Sequence, residues 1–271
     1  MGKKRNPMAT PNKSQQSKVV AINPNAQATE QLPLLPLRVA ASVASPFSTA
    51  DLKTIVRTLD HHFYALKSVA EHPLLPATEF LCYRLASACG LPVPYSAIIE
   101  VEPNGELAFG SRFEGGVVEQ KAAGTGDQLQ MFKDFADPIS AILALDVFVG
   151  NEDRHRGNFL FRKNYQGAWV PVAIDYSRAL FVRGFPDDSF PISPTCNTRN
   201  TINVLKRTDI WNSPFAVFAL DSLRNVQRAN ISHWLNEMPA AWLPPPAKSR
   251  LVDWWQSPEF HQRIDKVYES I

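Results

Sequence analysis

The sequence predicts an α+β protein with two lobes: a small sheet with one helix, followed by a larger, mainly helical half. Short apolar–polar alternations separated by turn residues dominate before Pro138, and one segment with helical spacing interrupts them. After Pro138 helical patterns prevail, and all six tryptophans lie beyond Val149. We therefore predict a disordered basic arm at residues 1–34, a small lobe at 35–137 and a large lobe at 138–271.

The small lobe is predicted as strand, strand, helix, strand, strand. The segment "LKTIVRTLDHHFYALKSVA" alternates on both sides of Asp60-His61, which indicates two antiparallel strands. Next, "PATEFLCYRLASACG" has helical spacing and reaches a terminating glycine at Gly90. In "LPVPYSAIIEVEPNGELAFGSRF" an Asn104-Gly105 turn separates two further strands.

The large lobe begins with "PISAILALDVFV", which is apolar nearly all round and predicts a buried helix. A highly charged loop, "GNEDRHRGN", follows it, and "NFLFRKNYQGAWVPVAIDYSRALF" then predicts two strands joined by a turn at 164–167. The last 80 residues are predicted to be mainly helical. Ligands usually bind in clefts between lobes, so the charged loop is the place to look for a function.

Composition limits the function classes. Residues 1–31 carry five basic residues against one acidic residue, while the remainder carries 23 basic and 25 acidic residues. A slightly acidic body predicts no direct nucleic-acid contact and no membrane binding. No apolar segment approaches the length of a membrane span, and the basic N-terminus is not followed by an apolar stretch, so we expect a cytoplasmic protein. The three cysteines are expected to be free thiols, with Cys82 and Cys89 buried.

The charged loop contains oxygen donors at a suggestive spacing. Asp153 and Asn158 lie five residues apart, and Asp175 follows at the end of the apolar strand "WVPVAID". Two carboxylates and an amide form an all-oxygen donor set, which suits Mg²⁺. Because Mg²⁺ takes only one or two protein oxygens beside phosphates and water, Asn158 and Asp175 suffice to hold it, and Asp153 is left to act as a base.

That division of roles is typical of phosphoryl transfer. The chemistry also needs a cation for the phosphates of ATP, placed on a strand of the small lobe. Lys67 lies at the end of such a strand, and the helix that follows carries Glu79, in an order that suits a Lys–Glu ion pair. The residues therefore occur in the order required for a kinase site.

Four motifs resemble those of the HipA-like (HipA/HipT-type) bacterial serine/threonine kinases. "NEDRHRGN" resembles their N-x-D-x-H-x-x-N loop and "GLPVP" their small-lobe signature. "GSRF" at 110–113 is similar to their hinge, and "MPAAWLPP" resembles the tail of shorter members. The similarity spans about residues 40 to 260 and implies a protein-kinase-like fold.

The resemblance also implies roles for individual residues. Asp153 would be the catalytic base, Asn158 and Asp175 would hold Mg²⁺, and Lys67 would contact the phosphates of ATP. The hinge near 110–114 would hold the adenine through the backbone around Ser111 and Phe113. The implied partners are a protein substrate, such as an aminoacyl-tRNA synthetase or another translation factor, and a small helix-turn-helix antitoxin.

Other interpretations remain open at this point. No glycine-rich phosphate loop is evident, and "ASPFSTAD" at 44–51 is the one candidate for its place. "DRHRGN" also resembles the loop of phosphoinositide-type lipid kinases, and a pseudokinase scaffold that binds ATP without turnover is a third reading. His155 is expected to brace the loop, whereas Arg154 and Arg156 could either orient it or meet an acidic substrate.

Overall fold

The structure is a computed structural model that describes residues 35–43, 54–101, 103–113, 125–163, 167–186 and 192–271. These residues belong to one compact unit. The expected arm at 1–34 and the candidate phosphate loop at 44–51 lie outside them. The described chain combines a sheet with helices, as predicted, while its division into two lobes at residues 137/138 stays a prediction.

A five-stranded barrel occupies the N-terminal part. Its strands are β1 (Leu37–Val43), β2 (Ile55–Thr58), β3 (Phe63–Lys67), β4 (Ser96–Val101) and β5 (Glu106–Arg112). They are ordered β1-β2-β3-β5-β4, and a parallel pairing of β1 with β4 closes the barrel. Both predicted strand pairs, β2 with β3 and β4 with β5, are confirmed as antiparallel. Strand β1 and the closure of the sheet were not predicted.

The barrel encloses a small apolar core of its own, formed by Val56, Tyr64, Leu66, Ala97, Ile99 and Ala108. Space inside is tight at Gly110 in β5. A Cβ atom at that position would lie 2.2 Å from Cδ1 of Ile99, so no larger residue fits without displacing β4 side chains. The glycine of the "GSRF" motif is therefore explained by packing.

Eight helices and a two-stranded sheet account for most of the remaining described residues. The helices are α1 (Leu75–Ala88), α2 (Thr125–Asp134), α3 (Ala136–Val149), α4 (Asn197–Arg207), α5 (Ser213–Asn225), α6 (Arg228–Glu237), α7 (Pro245–Trp254) and α8 (Pro258–Ser270). The sheet pairs β6 (Phe159–Lys163) with β7 (Trp169–Ala173) in antiparallel register. Helices α1 and α3 and both strands confirm the predictions, whereas α2 falls in a segment left unassigned.

Helix α1 joins the barrel to the helical part of the molecule. It packs against β3 and β5 on one side and against α3, α5 and α6 on the other. Its side chains belong to the large apolar core that continues through α3 into the C-terminal helices. Two polar contacts add to this connection: Arg84 Nη2 lies 3.0 Å from Glu237 Oε2, and Trp242 Nε1 donates to the Leu107 carbonyl at 2.8 Å.

Two predictions made from composition concern the cysteines and membrane-spanning segments. Cys82 and Cys89 are free and buried, as expected, and Cys196 is free and half-buried. Across the described residues, no helix combines the length and the apolar character that crossing a membrane requires.

Candidate functional site

The charged loop leaves α3 through a helix end that only a flexible residue adopts easily. Gly150 has a φ of 72°, and Asn151 N donates back to the Asp146 carbonyl at 2.8 Å. A short 3₁₀ turn over Arg156–Asn158 then leads into β6. Since Phe159 pairs with Ala173, and Ile174 N donates to the Asn158 carbonyl at 3.3 Å, Asn158 and Asp175 come to the same end of the β6–β7 hairpin.

Asp175 meets Lys67 at this end of the hairpin. The side chains of Lys67 and Asp175 are 9% and 13% exposed, respectively, and Lys67 Nζ lies 3.5 Å from Asp175 Oδ1. Burial raises the pKa of Asp175, but the Lys67 ammonium and hydrogen bonds from Ser177 outweigh it and leave the pKa below its ordinary value. Asp175 also has a φ of 59°, a conformation unusual for a non-glycine residue and concentrated at functional sites.

Glu79 lies in the same buried region, on α1. It is 1% exposed, and its Oε1 accepts a hydrogen bond from Tyr176 N at 3.1 Å. Burial raises the pKa of Glu79 to about 8, although the nearby Lys67 ammonium acts in the opposite direction. The charge of Lys67 thus acts on Glu79, while the predicted ion pair between the two stays a prediction, and the hydrogen bond from Tyr176 N ties Glu79 to the backbone next to Asp175.

Asp153 presents its carboxylate at the edge of the site. Oδ1 accepts a hydrogen bond from Asn197 Nδ2 at 2.6 Å, and Oδ2 lies 3.4 Å from Arg178 Nε. The side chain is 26% exposed, so it is accessible from solvent. The two carboxylate oxygens of Asp153 thus have different partners, an amide donor on one and a guanidinium on the other.

Asn158 is oriented by the backbone of Asp153. Its Nδ2 donates to the Asp153 carbonyl at 2.9 Å, so this bond fixes which side-chain atom is the nitrogen and leaves Oδ1 as the acceptor. Asp175 keeps acceptor capacity on its second oxygen, because Lys67 and Ser177 N both contact Oδ1. One amide oxygen and one carboxylate fit the needs of Mg²⁺. The described residues contain no group of three or more His, Cys, Asp or Glu side chains suited to a metal.

Arg154 holds the loop from inside. Its side chain is fully buried and makes two bonds to Asp146, from Nε to Oδ2 at 2.7 Å and from Nη2 to Oδ1 at 3.0 Å. Nη1 donates to the carbonyls of Asn158, at 2.8 Å, and of Ile174. Despite burial, the pKa of Arg154 is raised above its ordinary value by Asp146. Arg154 therefore joins α3, the charged loop and the residue before Asp175, which decides its role in favour of orienting the loop.

The other basic residues of the loop differ from Arg154. His155 Nδ1 accepts a hydrogen bond from Gly157 N at 3.0 Å, in agreement with the bracing role expected for it. Arg156 is exposed, so it does not share the internal role of Arg154.

The predicted adenine contacts lie in and just after β5. Ser111 Oγ is 2.8 Å from the Tyr83 hydroxyl, and its backbone pairs with Ala65 of β3 and Ser96 of β4. Phe113 N donates to the Phe63 carbonyl at 2.7 Å, and the ring is 37% exposed. The adenine contacts stay a prediction.

Several residues of the site were missed at the sequence level. Asn197 and Thr198 contact the charged loop from α4, more than 40 residues away in sequence, and no local sequence pattern predicts these contacts. Arg178 follows Asp175 closely but had no assigned role. Asp146 carried a usable signal, since a carboxylate within the apolar run at 139–149 of α3 requires a buried partner.

Comparison with solved structures adds one strong likeness. A Helicobacter pylori proinflammatory kinase, CtkA, superposes with a TM-score of 0.56 and 15% identity, covering 88% of this chain and 98% of that one. This chain shares the fold of that protein. The resemblance to kinases that the motifs predicted is thus confirmed at the level of the fold.

A second structure is HipA of the Shewanella oneidensis MR-1 toxin–antitoxin system, solved with HipB and operator DNA. It gives a TM-score of 0.42 and 13% identity, covering 77% of this chain and 60% of that one, which is too low to establish a common fold. No protein-family model matches the chain, and no curated protein does. The expectation that this chain contacts no nucleic acid finds no support in these comparisons.

Proposed function

We propose that the protein is an ATP- and Mg²⁺-dependent serine/threonine protein kinase of HipA-like type. The observation that carries the proposal is the contact of Lys67 with Asp175, at the end of the hairpin that follows the charged loop of Asp153. A strand of the barrel, the hairpin end and the charged loop each supply one of these residues, and each is the residue type that phosphoryl transfer needs there.

The roles follow from the contacts of each side chain. Asn158 and Asp175 would hold Mg²⁺, which neutralises charge on the phosphates of ATP. Lys67, an almost buried ammonium at the end of β3, would bind phosphate oxygens in exchange for its contact with Asp175. Asp153 would accept the proton of the substrate hydroxyl as that oxygen attacks the γ-phosphorus of ATP and the bond to the β,γ-bridging oxygen breaks, with ADP as the leaving group. Arg154, through its hydrogen bonds to the carbonyls of Asn158 and Ile174, holds the charged loop and the backbone next to Asp175 in a fixed relative position.

The remaining expectations concern the adenine contact, the cellular location, the substrate and the partner. We propose the backbone around Ser111 and Phe113 as the adenine contact and the cytoplasm as the place of action. The substrate would be a protein, for which an aminoacyl-tRNA synthetase is the leading class. A small helix-turn-helix antitoxin would be the partner, in line with the HipB found with HipA.

Phosphate transfer tests the proposal. Purified protein is incubated with Mg²⁺ and γ-labelled ATP, alone and with a bacterial lysate, beside Asp153→Ala. Asp253→Ala is the matched control, because Asp253 is an exposed carboxylate on α7, away from the charged loop in sequence. A labelled protein band that is present in the wild type and the control but lost in Asp153→Ala is the expected result.

The other outcomes separate the alternatives. Transfer of label to phosphoinositide vesicles but not to protein would establish the lipid kinase. Binding of ATP without any transfer would indicate the pseudokinase scaffold. An Asp153→Ala variant as active as wild type would show that the site is assigned wrongly. Growth inhibition that a neighbouring helix-turn-helix protein relieves would support the toxin role.

A further inference from the structure

We propose that Asn197, at the first turn of α4, is a positioning residue that orients the carboxylate of Asp153 for proton transfer. The inference rests on the proposed kinase function and adds a residue to it. The distance from Asn197 Nδ2 to Asp153 Oδ1 is 2.6 Å, the shorter of the two contacts that the carboxylate makes. Because a carboxylate without a proton only accepts hydrogen bonds, the Asn197 amide must present its nitrogen.

The start of α4 is fixed to the charged loop on both sides of Asp153. Thr198 N donates to the Glu152 carbonyl at 3.2 Å, so the loop satisfies a donor that a helix N-terminus leaves without an intrahelical partner. The Thr198 hydroxyl donates to the Asn151 carbonyl at 2.6 Å and accepts from Arg154 N at 2.9 Å. Thr201 Oγ1 lies within hydrogen-bond distance of two carbonyl oxygens, that of Arg154 at 3.1 Å and that of Asn197 at 2.9 Å.

These anchors determine where Asn197 stands. A side chain attached to a fixed helix start can direct a carboxylate, whereas a side chain on a free loop would follow it. Positioning of Asp153 therefore comes from α4 as well as from its own loop.

Arg178, the second partner of Asp153, is less suited to this task. Its side chain is 67% exposed, and the contact is 3.4 Å long. Exposed ion pairs of this kind contribute little, since solvent screens them and the side chain loses entropy. The two partners therefore predict different effects: a large loss of turnover on removing the Asn197 amide and a smaller one on removing Arg178.

The test compares Asn197→Leu, which keeps the shape without the donor, with Asn197→Ser, which restores a shorter donor. Asn203→Leu is the matched control, being an exposed asparagine on the same helix. Label transfer from Mg²⁺-ATP to the protein itself and to dephosphorylated casein gives kcat and KM. Thermal unfolding is recorded for each variant.

We expect kcat to fall about 10- to 100-fold in Asn197→Leu, with KM for ATP within about twofold of wild type. Asn197→Ser should recover part of kcat, and all variants should unfold at nearly the wild-type temperature. A merely structural role would instead lower the unfolding temperature and would not be rescued by serine.

Two results would overturn the inference, and they are distinguishable. Wild-type kcat in Asn197→Leu, together with inactive Asp153→Ala, would remove Asn197 from the site and leave the kinase function standing. Absence of transfer by the wild-type protein would remove both.

Discussion

Two cation–carboxylate pairs lie side by side in this molecule and are built differently. Arg154 and Asp146 are fully buried and joined by two short bonds. Lys67 and Asp175 are slightly exposed and meet in one contact of 3.5 Å. The first pair has every feature of a permanent structural link. The second has the features of a contact that a ligand can replace.

The difference indicates that the Arg154–Asp146 pair holds the structure of the site, whereas the Lys67–Asp175 pair is available for contact with a ligand. The guanidinium of Arg154 has five donors in a fixed plane, which allows it to bind Asp146 and two loop carbonyls together. The ammonium of Lys67 is a point charge on a flexible stem, so it can move from a carboxylate to a phosphate. Loop geometry therefore does not depend on the contact that binding of nucleotide would disturb.

The largest effect is expected from Arg154→Met. Removing the cation leaves Asp146 buried without its charge partner, which costs about 3 to 5 kcal/mol of unfolding free energy. Urea unfolding measures the loss, and Arg207→Met, at the exposed end of α4, should stay within about 0.5 kcal/mol of wild type. The double variant Asp146→Leu/Arg154→Met should regain part of the loss. A cost below about 1 kcal/mol for Arg154→Met would show that the buried pair is not the support described.

An intermediate effect is expected for Glu79, which both cations influence. Its pKa is about 8 in the folded protein, so between about pH 4.5 and 8 the folded state keeps a proton that the unfolded chain releases. Stability contributed by Glu79 is therefore full below that range and is lost as the pH rises through it.

Glu79→Gln keeps an acceptor for Tyr176 N and cannot ionise. Between pH 6 and pH 9 the unfolding free energy of the wild type should fall by about 2 to 3 kcal/mol more than that of Glu79→Gln. Denaturant unfolding at the two pH values measures the difference, and the exposed Glu269→Gln should behave as wild type. Equal pH dependence in Glu79→Gln and wild type would mean that Glu79 is ionised, held by Lys67.

The smallest effect is expected at the Arg84–Glu237 pair between α1 and α6. Both side chains are partly exposed, at 17% and 26%, so Arg84→Gln should cost about 0.5 to 1 kcal/mol. Chemical denaturation in low and high salt checks this, because screening should remove most of the difference. If Arg84→Gln lost as much unfolding free energy as Arg154→Met, the distinction between the buried and the partly exposed pair would be wrong.

Local sequence patterns predicted those elements whose signal is local. The turns at Asp60-His61 and Asn104-Gly105, the apolar α3 and the β6–β7 hairpin were all predictable. Strand β1 was not, because its parallel partner β4 is about 60 residues away and a closed barrel depends on that long-range pairing. Helix α2 lies near the end of the predicted small lobe, in a segment to which no element was assigned.

The residues of the candidate site likewise fall into those with a local sequence signal and those that depend on tertiary packing. Lys67, Asp153, Asn158 and Asp175 could be proposed as site residues from residue type and order, and their roles stay a prediction. The role of Arg154 could not, since an arginine within a charged loop usually faces solvent, and here its partner Asp146 lies one helix end away. The contribution of α4 depends on tertiary packing alone, which brings Asn197 to Asp153 across 44 residues.

The most direct measurement is phosphate transfer by Asp175→Asn beside Asp253→Asn, with unfolding temperature recorded for both. Asparagine keeps the shape of Asp175 but removes the charge that faces Lys67 and would hold Mg²⁺. We predict that Asp175→Asn lowers transfer by about 100-fold or more while the protein stays folded, and that Asp253→Asn transfers as wild type. Transfer by Asp175→Asn within about threefold of wild type would contradict the exchangeable role of the Lys67–Asp175 contact.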